Sequence, residues 1–205
     1  MSDHLRYAGQ SFNVQRRALE GMLRDAPMLM EVLRGLREEA LPDGLLVAGA
    51  IYNLVWNTLT GRPSLTGIND IDVFYFDASD IGYDAEDVVI KRLAARFAHL
   101  PLPVQARNQA RVHLWFPQKF GTAFTPLTSS EEMLGRYASK THAVAARLEA
   151  DESMTILAPF GLDEIFSFRV TPNHALANKP AHEAKGVRAK AVWPELTVLP
   201  WDQPE

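Results

Sequence analysis

Leu45-Leu46-Val47-Ala48-Gly49-Ala50, followed further on by Asn69-Asp70-Ile71-Asp72-Val73-Phe74, is the stretch that decides how this chain folds. Leu45–Val47 is apolar without alternation, as expected of a strand covered on both faces. After Gly49, the residues Ile51, Leu54, Val55, Thr58 and Leu59 recur at i, i+3, i+4, i+7 and i+8, which predicts an amphipathic helix over Ala50–Leu59. A second strand is predicted over Asp70–Phe76, opening with two carboxylates one residue apart. Side chains two apart on a strand share a face, so Asp70 and Asp72 stand side by side, about 6–7 Å apart along the chain.

Both halves of this unit suggest chemistry. The strand-to-helix turn gathers free backbone N–H groups and the positive end of a helix dipole at Gly49-Ala50, where phosphate is a natural ligand. Gly49 has no β-carbon to obstruct it, although glycine at such a turn also serves structure alone. Asp is disfavoured in strands, and adjacent carboxylates repel unless something compensates them. The compensating partner is either an Arg or Lys or a divalent cation, Mg²⁺ or Mn²⁺, whose other positions nucleotide phosphates would fill.

Outward from this unit, Val14, Ala18, Leu19, Met22 and Leu23 form one face of a helix within Ser11–Arg24. A second helix begins near Pro27 with Leu29, Val32, Leu33 and Leu36 on its inner face. Beyond the carboxylates, Asp84 is an expected N-cap for a helix carrying Ile90, Leu93, Ala94 and Phe97. Two short strands are expected at Val104–Asn108 and Ala110–Phe116, the second from the alternation of Arg111, His113 and Trp115 with Val112, Leu114 and Phe116. Ser129 or Ser130 caps a short helix over Glu131–Tyr137, and His142–Leu148 with Met154–Leu157 reads as a hairpin. A short helix at Leu162–Phe166 and a last core strand near Phe168–Val170 follow. The tail from Thr171 contains five prolines, with a further helix expected over Ala181–Ala191.

The 205 residues are 47% hydrophobic, enough for one substantial core, and the net charge of −4 gives no general case for nucleic-acid or membrane binding. The absence of cysteine excludes disulfides, thiolate metal sites and thiol nucleophiles. Met1-Ser2-Asp3-His4-Leu5-Arg6 lacks the apolar core of a signal peptide, and no apolar run reaches the roughly 20 residues of a membrane helix. A cytoplasmic location is the expectation.

Gly before a helix, then a strand opening Asp-hydrophobic-Asp, resembles the polymerase-beta-type nucleotidyltransferase superfamily. Val47-Ala48-Gly49-Ala50, Asn69–Asp77, Arg107-Asn108-Gln109-Ala110-Arg111-Val112-His113 and Ala158-Pro159-Phe160-Gly161-Leu162-Asp163 are together similar to a small bacterial nucleotidyltransferase-like family. The resemblance spans roughly Leu45 to Asn173. It implies a single α/β domain over 1–205: a mixed sheet flanked by helices, a helical N-terminal part (1–43) and a Pro-containing C-terminal extension (171–205). It also implies transfer of a nucleoside monophosphate from an NTP to an acceptor, with Asp70 and Asp72 as catalytic metal ligands. Gly49 and Ala50 would then cradle phosphate. Arg107 and Arg111 are placed to hold phosphates or to pair with the two carboxylates.

Two departures from the superfamily pattern leave a second reading open, an inactive nucleotide- or partner-binding module. Ala50 stands where active members carry Gly or Ser. No Asp or Glu occurs from Val88 to Ser130, where a third carboxylate is expected, and Gln105 is its nearest counterpart. Glu131, Glu132, Asp163 and Glu164 are the remaining candidates for a third acid. A glycosyltransferase, whose Asp-x-Asp motif binds a metal and a nucleotide sugar, fits the early strand-turn-helix and the short chain poorly. His142 and His174 have no metal-ligand spacing and read as structural or surface residues.

Overall fold

The computed structural model describes residues 3–202; the first two residues of the N-terminal part and the last three of the C-terminal extension lie outside it. Five strands form a mixed sheet in the order β3-β2-β1-β4-β5. They are β1 (Leu45–Val47), β2 (Ile71–Tyr75), β3 (Val104–Asn108), β4 (Ala145–Leu148) and β5 (Met154–Leu157). β1 runs antiparallel to β2 and β4, and β4 antiparallel to β5, while β2 and β3 are parallel. The β2-to-β3 connection is the helix α4 (Tyr83–Arg96), the crossover that a parallel pair requires.

Strand alternation divides the sheet into two faces. Leu46, Ile71, Val73, Val104, Ala106 and Ala146 face the main core, which α1 (Phe12–Arg24), α2 (Pro27–Glu38), α3 (Gly49–Thr60) and α4 cover. Leu45, Val47, Phe74 and Ala145 face a second, smaller cluster beneath Leu134 and Ala143. Because the register pairs Asp72 with Gln105 and Phe74 with Arg107, this second face also carries Asp70, Asp72, Gln105 and Arg107 in one group. α1 to α4 cover one face, and the polar residues lie on the other.

After Thr171 the chain forms α7 (Lys179–Val192), which lines one cavity together with Asp70 and Asp72. Its small strand β7 (Thr197–Val198) pairs in parallel with β6 (Arg169–Val170), just after the one-turn helix α6 (Asp163–Phe166). Three residues, His182, Gly186 and Trp193, fix α7 from its first turns to just past its end. His182 accepts from Ser139 Oγ at Nδ1 and donates from Nε2 to the Leu199 carbonyl, each at 2.8 Å. Gly186 lies so close to Val198 that a β-carbon would stand 2.6 Å from it. Trp193 donates to Asn57 Oδ1 at 2.9 Å in the core, where Asn57 also ties down the loop after α3 through the Ser64 and Thr66 carbonyls.

Two sequence expectations are corrected. Ala110–Phe116 is not a strand: Gln109–Arg111 is a 3₁₀ turn leading into the helix α5 (Val112–Phe120). Asn108 Oδ1 accepts from the amides of Ala110 and Asp77, which turns the chain out of the sheet. Val112 and Phe116, read as alternate strand positions, are also i and i+4 on a helix and are buried as such. The N-cap of α4 is Gly82 rather than Asp84, which falls in the first turn, where its charge suits the helix dipole.

Candidate functional site

At the end of β1 the chain enters α3 through a strained residue. Ala48 has φ 53° and ψ −111°, a region that a residue with a β-carbon rarely occupies. Its carbonyl accepts from Ile51 and Tyr52. Among the described residues, nothing accepts from the amides of Gly49 and Ala50, so the first turn of α3 presents two free donors. Gly49 lines a cavity of about 450 Å³. Ala50 does not line the cavity: it is buried in the main core, and only its amide belongs to the open first turn beside Gly49.

Asp70 and Asp72 line the same cavity, together with Tyr52, Asn53, Asn69, Tyr137 and His142. Among the described residues, neither carboxylate has an Arg or Lys within ion-pair distance. Gln105 Nε2 instead donates to Asp70 Oδ2 at 3.1 Å. Burial raises the Asp72 pKa and the charge of Asp70 raises it further, while Lys185 and Arg107 pull it back. Burial is also the main cause raising Tyr52 and Tyr137, with Asp72 adding to both. His142 stacks on Tyr52 at 4.8 Å, and burial holds it well below the ordinary histidine pKa, so it is neutral.

The other sequence-singled residues separate cleanly. Arg107 is exposed on the same strand face as Asp72 and close enough to act on its charge. Arg111 is buried against Glu86 of α4 and donates from Nε to the Ile81 carbonyl at 2.8 Å, away from the cavity lining. The four candidate third acids do not line the cavity. Glu132 holds the Thr128 turn, Asp163 takes the Gly9 amide and the Gln15 side chain, and Glu164 pairs with Arg169.

Two cavity residues went unread in the sequence. Lys185 and Arg188 of α7 line the same cavity as the carboxylates, more than a hundred residues away along the chain, and Lys185 is close enough to act on the charge of Asp72. Burial lowers the Lys185 pKa, and Asp72 opposes that shift. Among the described residues there is no group of three or more His, Cys, Asp or Glu side chains arranged to hold a metal ion. Asp70 and Asp72 alone fit a hard cation of the magnesium type, which takes one or two protein carboxylates and completes its shell with water and substrate phosphate.

A family model described as Nucleotidyltransferase matches residues 34–198. A solved NMR structure described as revealing a CCA-adding enzyme head domain superimposes with a TM-score of 0.74. It covers 90% of this chain and 95% of that one, at 23% identity, a likeness of fold. A tRNA-processing enzyme in an apo form aligns at TM-score 0.41 and 16% identity over 83% of this chain and 40% of that one, too loosely to inform the fold. No curated protein matches the sequence at significance.

Proposed function

The chain belongs to the nucleotidyltransferase family, and on that premise we propose that it transfers a nucleoside monophosphate from an NTP to an acceptor hydroxyl or phosphate, with Mg²⁺, in the cytoplasm. The observation that carries the reading is one cavity containing the open first turn of α3 and the Asp70–Asp72 pair.

The Gly49 and Ala50 amides would each donate to a phosphate oxygen at the positive end of α3. Asp70 and Asp72 would hold the divalent ion, with Gln105 orienting Asp70 through its hydrogen bond. When bound, such an ion neutralises phosphate charge and polarises the phosphoryl group. Arg107, on the same face, adds positive charge beside Asp72. In the transfer, the acceptor oxygen bonds to the α-phosphorus and the bond to the β-phosphate oxygen breaks. The electron pair leaves on pyrophosphate, and a hydroxyl acceptor loses its proton to water.

One observation favours the second reading, a binding module without turnover. Gln105 stands where a third carboxylate is expected, and an amide cannot take up the acceptor proton or add negative charge.

Calorimetry with each of the four NTPs in Mg²⁺, paired with a pyrophosphate-release assay, tests both readings. Mg²⁺-dependent binding that Asp70→Asn abolishes supports the site. Pyrophosphate release lost in Asp72→Asn establishes transfer over the binding module. Absence of Mg²⁺-dependent NTP binding overturns both.

A further inference from the structure

We propose that Lys185 and Arg188, on the cavity side of α7, bind the polyphosphate of the nucleotide. This rests on the nucleotide reading above and assigns to it two residues outside the strand-turn-helix unit.

Lys185, Arg188, Ala189 and Val192 all line the cavity, and their spacing of i, i+3, i+4 and i+7 is a single helical face. Two cations thus sit in the wall that the otherwise small or apolar residues of α7 present to Asp70, Asp72 and Gly49. Among the described residues, neither Lys185 nor Arg188 makes an ion pair. The Lys185 ammonium is instead 5.7 Å from the centre of the Tyr137 ring. Opposite charges sharing a cavity gain energy by closing into contact, because the local dielectric is well below that of water. Here the scaffold opposes closure. α7 is fixed by His182 near its start, by Gly186 against Val198 in the middle and by Trp193 just past its end.

Two carboxylates at β2 and two cations on α7 are thereby held on separate walls of one cavity of about 450 Å³, with no ion pair between them among the described residues. The ligand that satisfies both sides carries several negative charges toward α7 and brings a cation to the carboxylates. A metal-bound polyphosphate does this, whereas a nucleoside monophosphate has too few charges to span the two sides. Lys185 supplies a compact charge and Arg188 a planar fork of donors, both established phosphate partners.

The test is calorimetry on the full chain with the four NTPs in Mg²⁺, the matching nucleoside monophosphates and inorganic tripolyphosphate. Lys185→Gln and Arg188→Gln are each expected to weaken NTP and tripolyphosphate binding by about tenfold or more, the size of one lost charge-assisted contact. Monophosphate affinity should change by less than about threefold, and Lys185→Arg should retain most NTP affinity, since it keeps the charge. Arg188 is exposed, so R188Q leaves the fold intact even where K185Q does not. If NTPs bind the wild type and both Gln variants equally, the inference falls and the nucleotide reading stands. If the wild type binds tripolyphosphate in a Lys185-dependent way but no NTP, the cationic pair stands and nucleotide transfer falls. Binding of neither overturns both.

Discussion

The Gln105 side chain donates to Asp70 Oδ2 at 3.1 Å, across the parallel pair of β2 and β3 and beside Asp72, its register partner. A third acid at this position would complete a cluster of negative charge; an amide instead neutralises part of it by hydrogen bonding. Gln105 therefore makes the site stable without a metal, at the expense of the charge that would bind one most tightly.

Gln105→Glu is expected to reverse that balance. Replacing the donor with an anion leaves three carboxylates in mutual repulsion and Asp70 without its partner, a loss of about 1–3 kcal/mol in metal-free buffer. Mg²⁺ should recover most of that loss, so thermal melts across a Mg²⁺ titration should show a larger rise for the variant than for the wild type. Identical Mg²⁺ responses would mean that Gln105 does not adjoin a metal position.

The two arginines of the Arg107–Arg111 segment should respond to substitution in opposite ways. Arg111 is buried and paired with Glu86, so Arg111→Ala strands a buried carboxylate and should cost about 3–5 kcal/mol in urea unfolding. Arg107 is exposed, and among the described residues its side chain donates to the carbonyl of its neighbour Ala106, so Arg107→Ala should change stability by less than about 0.5 kcal/mol. Nucleotide affinity should fall in Arg107→Ala. Stability loss in Arg107→Ala with none in Arg111→Ala would refute this assignment.

These contrasts mark where the sequence is readable. The strand-turn-helix unit, the helical pair and the β4–β5 hairpin rest on local periodicity, and periodicity is visible in one dimension. Arg111 was ambiguous because its partner Glu86 lies 25 residues earlier, on a helix whose packing no local pattern reveals. Val112–Phe116 fits a strand as well as a helix, because i and i+4 satisfy both periods, and the Asn108 cap decides between them. Lys185 and Arg188 are hidden from a local reading because only the tertiary placement of α7 brings them into the cavity of Asp70. The available hint was two cations sharing one helical face with Ala189 and Val192.

Ala48 and Ala50 should diverge when each is replaced by glycine. At φ 53° and ψ −111°, Ala48 stores strain of about 1–3 kcal/mol. Glycine removes it, at a cost of about 0.5–1 kcal/mol in unfolded-chain freedom and about 0.8 kcal/mol for a lost buried methyl. Ala48→Gly is therefore expected to fall between a loss of about 0.8 kcal/mol and a gain of about 1.7 kcal/mol, a slight gain at the midpoint. Ala50, inside α3 and buried, has no such strain to release, and Ala50→Gly should destabilise by about 1 kcal/mol or more. Equal losses at the two positions in urea unfolding would show that the turn into α3 is relaxed.

The last prediction follows from the raised pKa of Asp72, which burial causes and Asp70 reinforces. A carboxyl raised in the native state prefers its proton there. Ionisation thus costs native stability once the pH passes the ordinary carboxylate value of 3.8, and the cost is complete above the native value. Below 3.8 both states are protonated and the cost vanishes. Asp72→Asn removes the charge while keeping the shape, so its melting temperature should exceed that of the wild type at neutral pH. For a chain of this size each kcal/mol relieved corresponds to about 2–4 °C. The difference should narrow as the pH falls through the native pKa of Asp72 and close in acid, while Mg²⁺-dependent nucleotide binding is lost at every pH. A variant less stable than the wild type at neutral pH would show instead that Lys185 and Arg107 already outweigh burial, making Asp72 a stabilising anion rather than a charge awaiting its cation.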